Sequence, residues 1–354
     1  MLRIAIIGTG GMAHTHAAAF KAIEGVAVTA CCDVDRPRAE AFAARHDIAA
    51  VYSDHREMLD RETLDGVSNV TPDSQHAAVS LAVIERGVNI LCEKPLATSL
   101  EDARRMTLAA AARGVVNMVN FSYRNSCGLQ AAAAAVKSGV IGSLRHIESS
   151  YLQSWLAQSA WGDWRVSPGL TWRLSSAHGS AGVLGDLGCH IYDLTSLLAG
   201  QDIVEIFCRL ATFDKGVEGN RLGEYVLDAN DSFVANIALA GGAVGTVHSS
   251  RWACGHHNSL RCRLYGDAGA IEVDLDGGYD HYRICRGKTA LESATWDVVS
   301  CDPTPSNYQR FIQSIRTGVN DPSDFANGAR VQACLHWSME SDRLGRPVKI
   351  VGGS

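Results

Sequence analysis

The apolar run Leu2–Ile7 passes directly into Gly8-Thr9-Gly10-Gly11-Met12-Ala13, a G-x-G-x-x-A turn. The first glycine makes a tight strand-to-helix turn, and the second lets backbone approach a pyrophosphate. The third, small position lets the next helix pack closely on the strand. The phosphates would then face N–H groups at the helix N-terminus. A helix-like stretch follows from His14 to Ile23, and a second apolar run, Val26–Cys32, ends in Asp33. Asp33 stands about 20 residues beyond the turn, where the fingerprint wants a carboxylate for the adenosine ribose. Gly8, Gly10, Gly11, Met12, Ala13 and Asp33 are therefore candidate dinucleotide contacts. A carboxylate repels a 2′-phosphate, so NAD is expected, while Arg36 and Arg38 keep NADP open.

The alternation continues. Gly66–Val70 reads as a strand, Thr71-Pro72 as a helix start, and Asp73–Arg86 as a helix. The strand Val88–Cys92 runs into Glu93-Lys94-Pro95, followed by a helix from Ser99 to Arg113 and a strand from Val115 to Asn120. Thr98-x-x-Glu101 has the form of a capping box. Units of this length predict a doubly wound parallel sheet, hence an α/β Rossmann domain over residues 1–121. Lys94 falls at the carboxyl end of a strand, where such sheets bind ligands. A partly desolvated lysine there can trade protons; the alternative is a solvated lysine paired with Glu93. His14, His16 and His76 fall near the expected phosphate face and read as loop or cap residues. His14-x-His16 has no acidic or cysteine partner nearby, so no metal is expected.

Residues 122–354 change period. Phe233, Ala235, Ile237 and Leu239 alternate with more polar neighbours, as do Leu260, Cys262 and Leu264, and Ile271, Val273 and Leu275. An antiparallel sheet with one covered face is expected, and helices are expected over Tyr308–Ile315 and Asp324–Leu344. Gly185–Asp193 reads as the start of a helix on which Asp186 and His190, four apart, share a face, and the carboxylate could orient the imidazole. Trp155, Trp161, Trp164 and Trp172 crowd one short stretch. They read as a hydrophobic lid, a subunit contact, or an aromatic wall for a sugar ring.

A net charge of -6 gives no reason to expect nucleic acid. Eleven scattered cysteines without a C-x-x-C read as reduced thiols of a cytosolic protein. No run is long enough to span a membrane, and no leader is expected ahead of the strand at Leu2.

The order of these pieces resembles the glucose–fructose oxidoreductase / inositol dehydrogenase (Gfo/Idh/MocA) family along essentially the whole chain. The likeness rests on Gly8-x-Gly10-x-x-Ala13, Thr71-Pro72 with His76, Glu93-Lys94-Pro95, and Asn120-Phe121-Ser122-Tyr123-Arg124. Gly139-x-x-Gly142, Asp186-x-Gly188-x-His190-x-x-Asp193 and Gly345-Arg346-Pro347-Val348 complete it. Asn125-Ser126-Cys127 stands where the family often has a proline. The resemblance implies an N-terminal Rossmann domain and a C-terminal α/β domain with an open, mostly antiparallel sheet. It implies that Lys94 is catalytic, with Pro95 cis, and that Asp186 and His190 complete the site. Thr71, Pro72, His76, Glu93 and Lys94 would join the cofactor contacts. Tyr123, Arg124, Trp164, Trp172, Asp186, His190 and Lys94 would meet a sugar or polyol. Homo-oligomers, dimer or tetramer, are implied through the C-terminal sheet, whose bare face would otherwise be a large apolar patch. An NAD-dependent glycosidase and a non-catalytic sugar sensor of the same fold stay open.

Overall fold

The computed structural model describes residues 1–351. Six strands open the chain: β1 (Leu2–Ile7), β2 (Val26–Cys32), β3 (Ala50–Tyr52), β4 (Gly66–Asn69), β5 (Asn89–Cys92) and β6 (Asn117–Val119). They form one sheet in the order β3-β2-β1-β4-β5-β6, with every pair parallel. The strand order reverses between β1 and β4, which opens a crevice at their carboxyl ends. Gly8 turns the chain there with φ 87. A Cβ on it would lie 2.6 Å from the Val70 carbonyl oxygen, so a larger residue is excluded by conformation and by space.

Two helix starts differ from expectation. The cap of the helix Leu100–Arg113 is Ser99, not Thr98. Its Oγ accepts from the Asp102 N–H at 3.1 Å and donates to Asp102 Oδ2 at 2.9 Å. The stretch after Pro72 opens with a tight 3₁₀ turn, Asp73–Gln75, and the α-helix proper is His76–Glu85.

The first compact unit is Met1–Ser122 together with Pro305–Gln332. Tyr308, Phe311 and Ile312 pack into the same core as Ile4, Phe20 and Met118. A single cut after residue 121 misses this return. Periodicity marks the apolar face of the helix Asn307–Thr317 but not which sheet will cover it. Phe311 is fully buried, worth about 1.5–3 kcal/mol of apolar transfer.

The second unit runs from Tyr123 to Thr304 and resumes at Ala333. Its strands are β7 (Leu144–Leu152), β8 (Ile203–Ala211), the small hairpin β9 (Arg221–Leu222) with β10 (Tyr225–Val226), β11 (Ser232–Leu239) and β12 (Val244–Ser250). β13 (Ser259–Gly266), β14 (Gly269–Asp274), β15 (His281–Arg286), β16 (Asp297–Ser300) and β17 (Val348–Lys349) follow. Nine of them make one sheet, β16-β15-β14-β13-β7-β12-β11-β8-β17, parallel only between β7 and β12. The helices Cys127–Lys137 and Cys189–Ala199 pack on one face. Gly128 comes so near that a Cβ would stand 2.3 Å from the His281 carbonyl oxygen. The other face is not the apolar patch expected. Arg263 meets Glu272 at 2.6 Å and Glu148 at 3.6 Å, and Arg283 meets Glu272 at 3.1 Å. Alternation showed which residues leave the core but not how charges pair across strands. No helix among the described residues is long and apolar enough to cross a membrane.

Candidate functional site

In the first unit the glycine turn leads into the helix Gly11–Lys21, which has no side-chain cap and no acidic residue in its first turn. Its leading N–H groups are therefore available to an external anion. A Cβ on Gly10 or Gly11 would meet no atom within 4 Å, so the bare backbone faces open space. Ala13 is buried, as helix packing on β1 requires, and Met12 is exposed beside the turn. These features fit a dinucleotide pyrophosphate.

Asp33 closes the turn from β2. Its Oδ2 accepts from the Thr9 N–H at 2.8 Å, the Thr9 hydroxyl at 2.9 Å and Arg38 Nε at 3.1 Å. Oδ1 accepts from the Asp35 N–H at 3.0 Å and Arg38 Nη2 at 2.7 Å. Burial alone would raise its pKa, but the bonds from Arg38, Thr9 and Asp35 outweigh burial and hold it at about 2. The carboxylate thus already shapes the glycine turn. A ribose diol arriving there would have to take the place of Arg38, which is half exposed.

Lys94 follows β5, and its peptide bond to Pro95 is cis. The neighbouring Glu93 points into a polar knot. Its Oε1 meets His16 Nε2 at 2.9 Å and accepts from Asn120 Nδ2 at 2.6 Å, while His16 Nδ1 meets Ser68 Oγ at 2.7 Å. Asn307 Nδ2 donates to Asn120 Oδ1 at 2.9 Å. Glu93 Oε2 accepts from the Lys94 backbone N–H at 3.1 Å. Burial would raise the Glu93 pKa; His16, Asn120 and the Lys94 charge outweigh it and hold the group at about 2. The stability this lends is full above the ordinary carboxylate range and is lost as pH falls from about 5 toward 2. Glu93→Gln should flatten that acid limb by about 2–3 kcal/mol in chemical denaturation. An unchanged limb would show that the charge is not what the knot stabilises.

Thr71 is held by Asn69, whose Oδ1 accepts its hydroxyl at 2.6 Å. His76 is fully buried. Its nitrogens meet the carbonyl oxygens of Pro95 at 2.7 Å and Thr71 at 2.9 Å, so neither is left for a cofactor. This corrects its reading as a direct contact; the i, i+5 relation to Thr71 was visible, but the fold brings in Pro95.

In the second unit His190 begins the helix Cys189–Ala199 and is 6 % exposed. The Tyr123 ring meets it edge-on at 4.8 Å and the Tyr151 ring at 6.1 Å. Tyr151 donates its hydroxyl proton to Asn258 Oδ1 at 2.7 Å, and Asn258 Nδ2 donates to the Tyr123 oxygen at 2.8 Å. With the Tyr151 proton so committed, the 2.6 Å contact between the phenols has Tyr123 as donor. Gln153 Nε2 also donates to Asn258 Oδ1 at 2.8 Å, and the Trp155 indole donates to Gln153 Oε1 at 3.0 Å. Burial, the Tyr123 phenol and the Asp186 charge all push the Tyr151 pKa well up, so its ring oxygen keeps its proton. Tyr151, Gln153 and Asn258 were not picked out from sequence. Tyr151 and Gln153 share one face of β7 and its extension, which is the only trace they leave.

Asp186 does not sit on a regular helix. It lies in a π turn, Leu184–Gly188, that runs directly into the helix bearing His190. Asp186 Oδ2 accepts from Arg173 at 3.3 Å and from Arg251 at 3.1 Å. Arg251 is itself fully buried, with its guanidinium 5.0 Å above the Trp155 ring.

Two expected substrate contacts are structural. Arg124 is 3 % exposed and forms a two-pronged pair with Asp193, Nε to Oδ2 at 2.7 Å and Nη2 to Oδ1 at 2.6 Å. Trp164 is 1 % exposed in a small core with Trp155, Leu156, Leu174 and Leu227, its indole N–H donating to the Leu156 carbonyl at 3.2 Å. Large apolar area explains that burial, and residue type alone does not distinguish a core indole from a wall. Trp172 is only partly buried, with Arg173 stacked 4.9 Å over its ring.

Residues 2–121 match the family model described as oxidoreductase family, NAD-binding Rossmann fold, and residues 129–272 match the GFO/IDH/MocA C-terminal domain. The chain is 29% identical over 295 residues to levoglucosan dehydrogenase of Pseudarthrobacter phenanthrenivorans, covering 78% of this chain and 74% of that protein. It is 25% identical over 355 residues to D-apiose dehydrogenase of Paraburkholderia graminis, covering 98% and 89%. The solved structure of levoglucosan dehydrogenase with NADH and levoglucosan superposes with a TM-score of 0.87 at 25% identity, covering 99% of this chain and 100% of that one.

Proposed function

Since this chain belongs to the Gfo/Idh/MocA oxidoreductase family, we propose that it moves a hydride between NAD and a secondary alcohol or ketone of a sugar, inositol or related polyol. The observation that carries the reading is the pair of matched domains. One bears a lysine at the carboxyl end of β5, and the other bears a histidine edge-on to two tyrosines, Tyr123 and Tyr151, that are hydrogen-bonded to each other. NAD, held by the Gly8–Ala13 turn and Asp33, would supply the acceptor for the hydride of the carbinol carbon. His190 takes the hydroxyl proton, and Lys94 hydrogen-bonds the same oxygen as it becomes a carbonyl. Asp186, which accepts hydrogen bonds from Arg173 and Arg251, binds a neighbouring hydroxyl of the substrate. Trp172 offers an aromatic face for the sugar ring.

The relatives act on an anhydro sugar and a branched pentose by name, so the test is a panel of anhydro sugars, pentoses and inositols with NAD and NADP. Net NADH formation is the expected result. Release of an aryl leaving group from a glycoside without net NADH would install the glycosidase reading, and binding without turnover the sensor.

We propose further that the enzyme is a cytoplasmic homo-oligomer joined through the open face of the C-terminal sheet. Support comes from the eleven scattered cysteines without a C-x-x-C, the usage of a reducing compartment, and from the family likeness. Light scattering at micromolar concentration should give a multiple of the 37.8 kDa chain; a monomer would count against it.

A further inference from the structure

The two carbonyl oxygens that meet His76 can only accept hydrogen bonds, and both contacts, 2.7 and 2.9 Å, are short. A neutral imidazole has one N–H and one lone pair. One of the two contacts would then set lone pair against lone pair. Only the doubly protonated ring satisfies both. Burial opposes a charge here, and so does the position of His76 at the first turn of a helix. The Cys92 sulfur on β5, Asp73 on the preceding turn and the Pro95 carbonyl act the other way, and the balance is upward.

We propose that His76 is a positioning residue: as an imidazolium it donates to the Thr71 and Pro95 carbonyls together and so fixes the turn that carries Lys94. The two acceptors belong to the loops after β4 and after β5, the strands flanking the crevice on its far side. The loop after β4 is secured again by Asn69. Its Oδ1 accepts from Thr71, and its Nδ2 donates to the His76 carbonyl at 3.2 Å and to Ser80 Oγ at 3.0 Å. On the other flank of Lys94, Glu93 is anchored by His16 and Asn120. Lys94 is thus bracketed by two anchored residues. Without the His76 clamp the Pro95 side is released, and the ammonium loses its placement while the glycine turn that holds the pyrophosphate is untouched. The role rests on the dehydrogenase reading, because it positions that reading's Lys94.

The first measurement is nitrogen NMR of the histidine-labelled protein with NAD bound, at about pH 8, where an ordinary histidine of pKa about 6.5 is neutral. Both His76 ring nitrogens are expected to carry protons; a single protonated nitrogen overturns the proposal. This readout needs no substrate, so its failure is distinct from failure of the dehydrogenase reading. The second is kinetic. His76→Gln retains a donor for one carbonyl, and His76→Phe retains none. Expected losses in kcat are about 10-fold and about 10²-fold, with KM for NAD within about 3-fold. Wild-type kcat in His76→Phe, with only a lower melting temperature, overturns the proposal. Should the variants not fold, the wild-type pH profile decides. Loss of the His76 proton at high pH must coincide with a fall in kcat, and a kcat that stays level through that titration overturns it.

Discussion

Lys94→Ala is expected to lower kcat by about 10²-fold or more, the usual scale for losing a general acid–base or oxyanion partner. The dissociation constant for NAD should change by less than about 3-fold, because the contacts proposed for its pyrophosphate and ribose are the Gly8–Ala13 turn and Asp33. His190→Ala should cost a similar factor for a different reason. Its ring is edge-on to two tyrosines whose hydroxyls are committed to each other and to Asn258. Neither phenol can take over as the base: Tyr151 is held protonated by its burial, and Tyr123 donates its own proton to Tyr151. If the two residues serve one proton transfer, the double variant should be little worse than either single one, since groups acting as a unit are not additive. A double-mutant cycle on kcat, beside a cofactor titration of each variant, checks this. Near-wild-type turnover in Lys94→Ala would sink the mechanism. Strictly additive losses would keep both residues in the site but deny them a shared step.

Arg124→Ala should destabilise the second unit by about 3–5 kcal/mol, the cost of leaving one member of a buried pair without its partner. The pair is 4% and 1% exposed at its two side chains and is held by two short charge-assisted bonds. Asp193→Ala should cost a comparable amount, because it removes both carboxylate bonds from the buried guanidinium. Arg124→Met with Asp193→Leu should recover most of the loss, because removing both charges removes the desolvation penalty with them. The measurement is the urea midpoint of the second-unit transition for the singles and the double. A folded, fully stable Arg124→Ala with a raised substrate KM would return Arg124 to the substrate, as the family resemblance first implied.

Much of the first unit could be read without the structure. Alternating apolar runs and helical stretches identify βαβ units, and the glycine turn with Asp33 at the end of β2 specifies where a dinucleotide would lie. Those signals are local: each depends on residues within a turn or a strand of one another. Lys94 was legible for the same reason, as a charge at the end of an apolar run. What the sequence left open is what depends on pairs far apart in the chain. The partner of Glu93 is His16, 77 positions away, and Asn307 reaches Asn120 across 187. Arg124 is claimed by Asp193 rather than by a ligand, and Trp164 is claimed by its own small core. Tyr151, whose ring lies against His190, takes Asn258 as its partner from β7 and the approach to β13, strands that pair directly though 107 positions separate these residues. Residue type and period state what a side chain can do: accept a proton, bury an indole, carry a charge. Which of several compatible partners it takes is settled by chain topology. Loop closure over long separations brings together groups with no common local signal, and the lower dielectric of the interior then makes each unpaired alternative costly.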